Sequence, residues 1–310
     1  MKPLRVGVIG VGHLGQHHAR LYAGMAGTTL VGVMDADPRR AKEIADRHGT
    51  AVFDDAGVLL KQVDAVSIAA PTSTHHALAM QCLEAGVHVL VEKPVTVTVA
   101  EAQDLVARAR ARRVVLQVGH IERFNPILLK VRPLIRAPRL VDCRRVSPFT
   151  GRSTDVDVVL DVMVHDLDMV LSFQPGAVRE VRAVGAKVVS DKIDIARAWL
   201  TFDSGCTATL TASRVETGRA RELSLIQSDA VISLDYQSRS AVVRKLGAGD
   251  QSVEQIQAGE EEPLKLELDA FLHAVRTGTP PVVSGQDGEA ALALADRVLK
   301  EIGAGCPSRA

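Results

Sequence analysis

Short apolar runs recur along the first 120 residues, each followed by a segment whose apolar positions have helical spacing. VGVIG, LVGVMD, AVSIAA, VHVLVEK and VVLQVG are apolar almost throughout instead of alternating, which predicts strands covered on both faces. Strands of that kind joined by helical segments predict a doubly wound parallel α/β sheet. The helix boundaries agree. Asp37-Pro38 supplies an N-cap and a first-turn proline, Gly49 a stop, and Thr98-Val-Ala-Glu101 reads as a capping box.

After His120 the rhythm changes. One helix is predicted from Asn125-Pro126 to Arg136 and another from about Asp155 to Phe173. Segments 178–189, 194–203, 206–214, 221–227 and 230–236 read as extended, several with period-two alternation, and Asp203-Ser-Gly205 as a hairpin turn. Helices near 264–277 and 287–303 close the chain, on either side of Gly278-Thr-Pro-Pro281. The pattern therefore predicts an α/β domain over residues 1–121. Residues 122–310 are expected to form an α+β domain with a mostly antiparallel sheet, its last helix free to pack back on the first domain.

A length of 310 residues suits two such domains. A formal net charge of zero with 46% hydrophobic residues argues against a nucleic-acid-binding field and against disorder. The most apolar stretch, Thr154 to Phe173, carries five aspartates and a histidine, which predicts a soluble helix and no membrane span. The opening residues run straight into a strand, leaving no room for a signal peptide, so a cytoplasmic protein is expected. Cys82, Cys143, Cys206 and Cys306 form no Cys-x-x-Cys pair; reduced thiols are expected, with neither a zinc site nor a disulfide framework.

The first strand delivers Gly10-Val11-Gly12-His13-Leu14-Gly15 into a helix. In that context the first glycine permits a tight turn, the second lets backbone approach a pyrophosphate, and the third lets helix pack on strand. Asp35 ends the second strand twenty positions after Gly15, where a carboxylate accepts hydrogen bonds from both adenosine ribose hydroxyls. This predicts NAD over NADP. Arg39 and Arg40 are of the right type for a 2′-phosphate, but on an amphipathic helix they are expected to face solvent.

With Ala70-Pro71-Thr72-Ser-Thr-His75 after the fourth strand and Glu92-Lys93-Pro94 after the fifth, nearly the whole chain resembles the glucose-fructose oxidoreductase and inositol dehydrogenase (Gfo/Idh/MocA) family. The resemblance implies an NAD(P)-dependent oxidoreductase acting on CH–OH groups. It also implies a Rossmann domain followed by an α+β domain whose large open sheet supports a homodimer or homotetramer. It adds His13, Leu14, Pro71, Thr72, His75, Glu92 and Lys93 to the cofactor site, although His75 alternatively caps its helix. The family's second-domain signature, an aspartate and a histidine four apart, is matched by Asp161 and His165. The glycine usual two residues after that aspartate is Met163, and the preceding glycine run is missing.

Carried over residue by residue, the resemblance makes Lys93, Asp161 and His165 the catalytic group. His165 is expected to take the hydroxyl proton, Lys93 to stabilise the same oxygen, and Asp161 to orient the substrate or tune His165. Residues 161, 165 and 168 share one face of a regular helix. Lys93 is expected within reach of His165 across an interdomain cleft. A metal site from His165, Asp166 and Asp168 is not expected, because Asp166 points away from the other two.

Gly119-His120-Ile-Glu-Arg123-Phe-Asn125-Pro126, together with the run from Asp161 to Asp168, looks similar to bacterial members that oxidise the 3-hydroxyl of UDP-N-acetylglucosamine. That likeness makes His120, Arg123, Asn125 and Asp168 candidate substrate contacts. Arg123, Arg144, Arg145, Arg214, Arg219 and Arg221 are of the type that holds a diphosphate, although arginines in strands usually decorate exposed faces. The expected activity is an NAD-dependent dehydrogenase making a 3-keto nucleotide sugar for a downstream aminotransferase, as in aminosugar or lipid A synthesis. The alternatives are a dehydrogenase of a free polyol such as an inositol, and a non-catalytic NAD-binding regulator.

Overall fold

The computed structural model describes residues 2–151, 156–247 and 252–305. Asp155, where a helix was expected to start, and Cys306 lie outside the described residues. The chain divides into two compact units, Met1–Ile121 with Glu262–Glu289, and Glu122–Glu261 with Ala290–Ala310.

The first unit holds a parallel sheet of β1 (Leu4–Ile9), β2 (Thr28–Met34), β3 (Ala51–Val52), β4 (Ala65–Ile68), β5 (His88–Glu92) and β6 (Leu116–Gly119). Its order, β3-β2-β1-β4-β5-β6, reverses between β1 and β4, the switch point at which such folds bind ligands. The crossovers are α1 (Gly15–Gly24), α2 (Pro38–His48), α3 (Ala56–Leu60), α4 (Thr72–Glu84) and α5 (Val99–Arg112). Asp37 accepts the Arg39 N–H at the start of α2, and Gly49 ends it at φ +64°. Thr98 and Glu101 form the expected reciprocal capping box on α5.

The apolar face of the helix Pro263–Thr277, with Leu264, Leu268, Phe271 and Leu272, shares one core with Val6, Val8, Val33 and Leu90. That packing puts Glu262–Glu289 in the first unit, whereas the sequence reading placed all of 122–310 in the second. Apolar spacing marks the helix but does not say which sheet it covers.

The second unit opens with α6 (Pro126–Val131), shorter than expected because a 3₁₀ turn over Arg132–Leu134 follows it at Pro133. Next come β7 (Leu140–Val146), a π-helical turn over Val159–Met163 and α7 (Val164–Ser172). The remaining strands are β8 (Val178–Ala186), β9 (Ile195–Phe202), β10 (Thr207–Ser213), β11 (Ala220–Ile226), β12 (Ala230–Asp235), β13 (Ser240–Lys245) and β14 (Val253–Gln257). They form an eight-stranded sheet in the order β14-β13-β12-β11-β7-β10-β9-β8. Every pairing in it is antiparallel except β7 with β10. Strands β7, β13 and β14 are not among the expected segments. One face of the sheet packs in a core with Leu128, Met163, Leu167 and Val298, while Val184, Trp199 and Val242 stand exposed.

The helices Pro263–Thr277 and Gly285–Gly305 are α8 and α9. No helix among the described residues is long and apolar enough to cross a membrane. Cys82, Cys143 and Cys206 are buried free thiols, and burial pushes the Cys82 thiol up to about 12.

Candidate functional site

At the carboxyl ends of β1, β2 and β4 a cavity of about 1000 Å³ is lined by Gly10, Gly12, Asp35, Ala70, Pro71 and their neighbours. The three glycines answer to different constraints. A Cβ on Gly10, at φ +84°, would lie 2.7 Å from the Ala69 and Ala70 backbone, and one on Gly15 would lie 1.8 Å from the Gly10 carbonyl oxygen. The protein's own turn thus excludes side chains there. Gly12 meets only the Arg40 guanidinium, at 3.9 Å, so nothing in the fold forbids its side chain. A ligand reaching the backbone in the cavity does. Helix α1 starts beside it with no side-chain cap and no acidic residue in its first turn, the arrangement that receives a phosphate.

Asp35 is aimed by backbone, its Oδ2 accepting from Val11 N–H at 2.8 Å and its Oδ1 from Asp37 N–H at 2.9 Å. Carboxylate oxygens accept more than one bond, so both remain capable of accepting ribose hydroxyls. Arg39 and Arg40 are both exposed, as expected. Arg40 also lines the cavity, with Nη1 3.6 Å from Asp35 Oδ1. His13 and Leu14 line the same cavity and are exposed, as is Pro71. This donor set fits a dinucleotide.

Lys93 is half-buried at the end of β5, and its peptide bond to Pro94 is cis. Glu92 points the other way, into the unit, where His18 Nε2 lies 3.1 Å from its Oε1 and the Lys93 backbone N–H donates to its Oε2 at 3.3 Å. Burial works to raise Glu92, but the hydrogen bond and charge of His18, with Lys93 nearby, hold it below the usual range. Behind it Glu267, on α8, is fully buried with neither carboxyl oxygen hydrogen-bonded among the described residues. Burial first, then the charge of Glu92, raises it well above the usual range.

His75 does not cap its helix; its buried ring faces Pro94 O from Nδ1 and Ala70 O from Nε2, each at 2.9 Å. With one N–H, an imidazole donates to one of these two carbonyls. His120 is buried at the end of β6.

In the second unit, Asp161 lies in the π-helical turn and His165 in the first turn of α7, both half-buried. The extra residue in a π turn alters the angle between 161 and 165 from that of a regular helix, and such turns recur at functional sites. Asp168 does not face a substrate as expected. It is 1% exposed and holds Arg123 in a bidentate pair at 2.6 and 2.8 Å. Asn125 is also used internally, capping α6 through Oδ1 and donating from Nδ2 to Glu122 Oε2 and Tyr236 O.

Arg145 is buried between Asp166, bound through Nε and Nη2, and Glu122, 2.6 Å from Nη1. Burial opposes its charge, but the two carboxylates hold its pKa well above the ordinary value. Arg214 is buried on Asp194 at 2.8 Å. Arg145 and Arg214 are therefore structural ion pairs and not diphosphate ligands; Arg144, Arg219 and Arg221 are exposed. Among the described residues no three His, Cys, Asp or Glu side chains are grouped to hold a metal ion.

Sequence reasoning passed over His18 and Glu267. The signal for Glu267 was present: it stands between Leu264 and Phe271, at a core position of an amphipathic helix, where a carboxylate is out of place.

The family described as oxidoreductases with an NAD-binding Rossmann fold matches residues 4–120, and its C-terminal domain matches residues 131–233. UDP-N-acetylglucosamine 3-dehydrogenase from Acidithiobacillus ferrooxidans is 39% identical over 95% of this chain and 96% of its own length. A solved structure of that dehydrogenase superposes with a TM-score of 0.93, covering 98% of this chain and 99% of the other. Inositol 2-dehydrogenase 1 from Saccharopolyspora erythraea is 31% identical, over 98% of this chain and 95% of its own. With both halves matched and relatives aligned end to end, the chain belongs to the Gfo/Idh/MocA family of oxidoreductases.

Proposed function

We propose that this protein is an NAD-dependent dehydrogenase that oxidises the 3-hydroxyl of a UDP-N-acetylglucosamine-type sugar to a 3-keto sugar. The observation that carries this reading is the end-to-end 39% identity with a UDP-N-acetylglucosamine 3-dehydrogenase, above the 28% and 31% of two inositol dehydrogenases aligned over similar lengths. NAD, when bound, supplies the hydride acceptor. The Gly12 backbone and the N-terminus of α1 hold its pyrophosphate, and Asp35 accepts its adenosine ribose hydroxyls. An anionic Asp35 repels a 2′-phosphate, which favours NAD over NADP, although Arg40 beside it softens that preference.

His165 takes the hydroxyl proton, Lys93 donates a hydrogen bond to the same oxygen as negative charge develops, and Asp161 orients His165 or the sugar. The exposed Val184, Trp199 and Val242 fit self-association of the second unit into a homodimer or homotetramer, which light scattering tests. A cytoplasmic aminotransferase is the natural consumer of the ketone.

Purified protein with NAD and UDP-N-acetylglucosamine, with and without an aminotransferase to draw off product, should generate NADH. Absence of NADH in both arms refutes the substrate. NADH formation from free inositols, insensitive to added UDP, favours the second reading, which the inositol dehydrogenase relatives support. Lys93→Ala should bind NAD normally and lose turnover; turnover at the wild-type rate removes Lys93 from the reaction.

A further inference from the structure

We propose that His18 and His75 are positioning residues for Lys93, bracing its turn from both sides against the two elements that line the dinucleotide cavity. Lys93 follows the last residue of β5 and precedes a proline. On one side its N–H donates to Glu92 Oε2, and the other carboxylate oxygen is held by His18 of α1, the helix that the glycine loop opens. Gly119 leaves the space that the Glu92 carboxylate occupies, since a Cβ there would stand 2.9 Å from Oε2. On the other side the Pro94 carbonyl faces His75 Nδ1, while Nε2 of the same ring faces Ala70 O, beside the cavity residue Pro71.

His18 is 0% exposed and His75 1%, so neither ring is a surface ornament. Each ties the Lys93 turn to a different wall of the cofactor cavity, α1 by one route and the β4–α4 loop by the other. A lysine that must meet a developing oxyanion loses its effect when displaced by a fraction of an ångström, and such bracing fixes it. The groups facing Glu92 are His18 from α1, Glu267 from α8 and Lys93 from its own strand. His18 reaches it with a side-chain hydrogen bond.

The inference rests on Lys93 acting in hydride transfer, not on which sugar is oxidised. His18→Leu should lower kcat about tenfold or more while sugar KM and the Kd for NADH stay within about threefold. His18→Gln, whose amide N–H replaces Nε2–H, should restore turnover. His75→Asn keeps a donor at the Nδ1 position and should outperform His75→Gln, which keeps one at the Nε2 position. Hydrogen exchange followed by mass spectrometry on peptides ending on either side of Lys93 should show its amide exchanging faster in His18→Leu and not in His18→Gln, with α5 peptides unchanged.

Wild-type turnover and exchange in His18→Leu overturn the brace, as does a folded His18→Gln as impaired as His18→Leu. If His18→Leu fails to fold, the His18→Gln result and the order of the two His75 variants decide. Lys93→Met run in parallel separates the two claims. Full turnover in Lys93→Met refutes Lys93 as a catalytic residue, whereas a dead Lys93→Met beside a normal His18→Leu refutes the brace alone. The exchange readout holds whatever the sugar.

Discussion

Replacing Glu267 by glutamine should flatten the pH dependence of stability. Glu267 is fully buried, neither carboxyl oxygen has a hydrogen-bond partner among the described residues, and burial with the nearby charge of Glu92 raises it far above 4.5. Because its pKa is raised on folding, the folded protein keeps this proton to higher pH than the unfolded chain, and between the two values folding takes up one proton. The stability this provides is complete below the unfolded value and declines as pH rises toward the folded one. The slope is about 1.4 kcal/mol per pH unit in that window. For each pH unit inside that window the wild type should therefore lose about 1.4 kcal/mol relative to Glu267→Gln, which has nothing to titrate there.

At about 2–4 °C per kcal/mol for a unit of this size, the melting points should diverge by roughly 3–6 °C per pH unit within it. Glu92, held low, is ionised in both states throughout that window and contributes no slope. His48 and His88, both lowered chiefly by burial, titrate alike in the two proteins and cancel in the difference. Denaturant unfolding of both proteins at several pH values reads the effect. Parallel curves would refute the reasoning, since they would mean that Glu267 is ionised when folded or reaches a proton-accepting partner.

Gly12→Ala should melt like the wild type yet bind NADH at least about tenfold more weakly, because only the ligand needs that space; Gly15→Ala should lose several kcal/mol, about the cost of a rearranged turn, in the same melt. Asp35→Ala should weaken NADH binding about 10- to 100-fold, the loss of charge-assisted bonds, and narrow the gap to NADPH because Arg40 remains; fluorescence titration with both cofactors checks this, and an unchanged ratio refutes it. Arg145→Met should cost about 3–5 kcal/mol in denaturant unfolding, since it removes the buried cation that Asp166 and Glu122 share.

Much of the first unit was legible because its signals are local. A strand that is apolar on both faces, a glycine loop and a capping box each depend on residues within a few positions of one another. The second unit was less legible where pairing is distant. Strand β7 pairs with β10 and β11, some 67 and 80 residues away, and its sequence LVDCRRV alternates only partly. Strand β14 is exposed along nearly its whole length, so no buried face imposed a pattern on it. The π turn at Val159–Met163 has no signature in apolar spacing, because one extra residue in a turn disturbs the helical period too little to read.

The site divides along the same line. Backbone-directed features, Gly10, Gly15 and Asp35, could be placed from spacing, because the turn and the strand end that hold them are local. Side chains whose role depends on burial could not. Arg123, Asp168, Arg145 and Arg214 have the residue types of a diphosphate and sugar site, yet each is answered inside the fold, Arg123 by Asp168, Arg145 by Asp166 and Glu122, and Arg214 by Asp194. Those partners lie 20 to 45 residues apart, and a charge shows from sequence alone neither its partner nor its depth. The same blindness hid His18, which reaches Glu92 across 74 residues. A buried charge costs too much to leave unpaired, so an arginine or histidine within an apolar run implies a distant counter-charge. Arg221 is exposed but lies 3.9 Å from the buried Glu122, so by that rule Arg144 and Arg219 are the members of the predicted arginine set whose charge the interior does not consume, and charge reversal at these two should weaken nucleotide-sugar binding while leaving the melting temperature within about 2 °C.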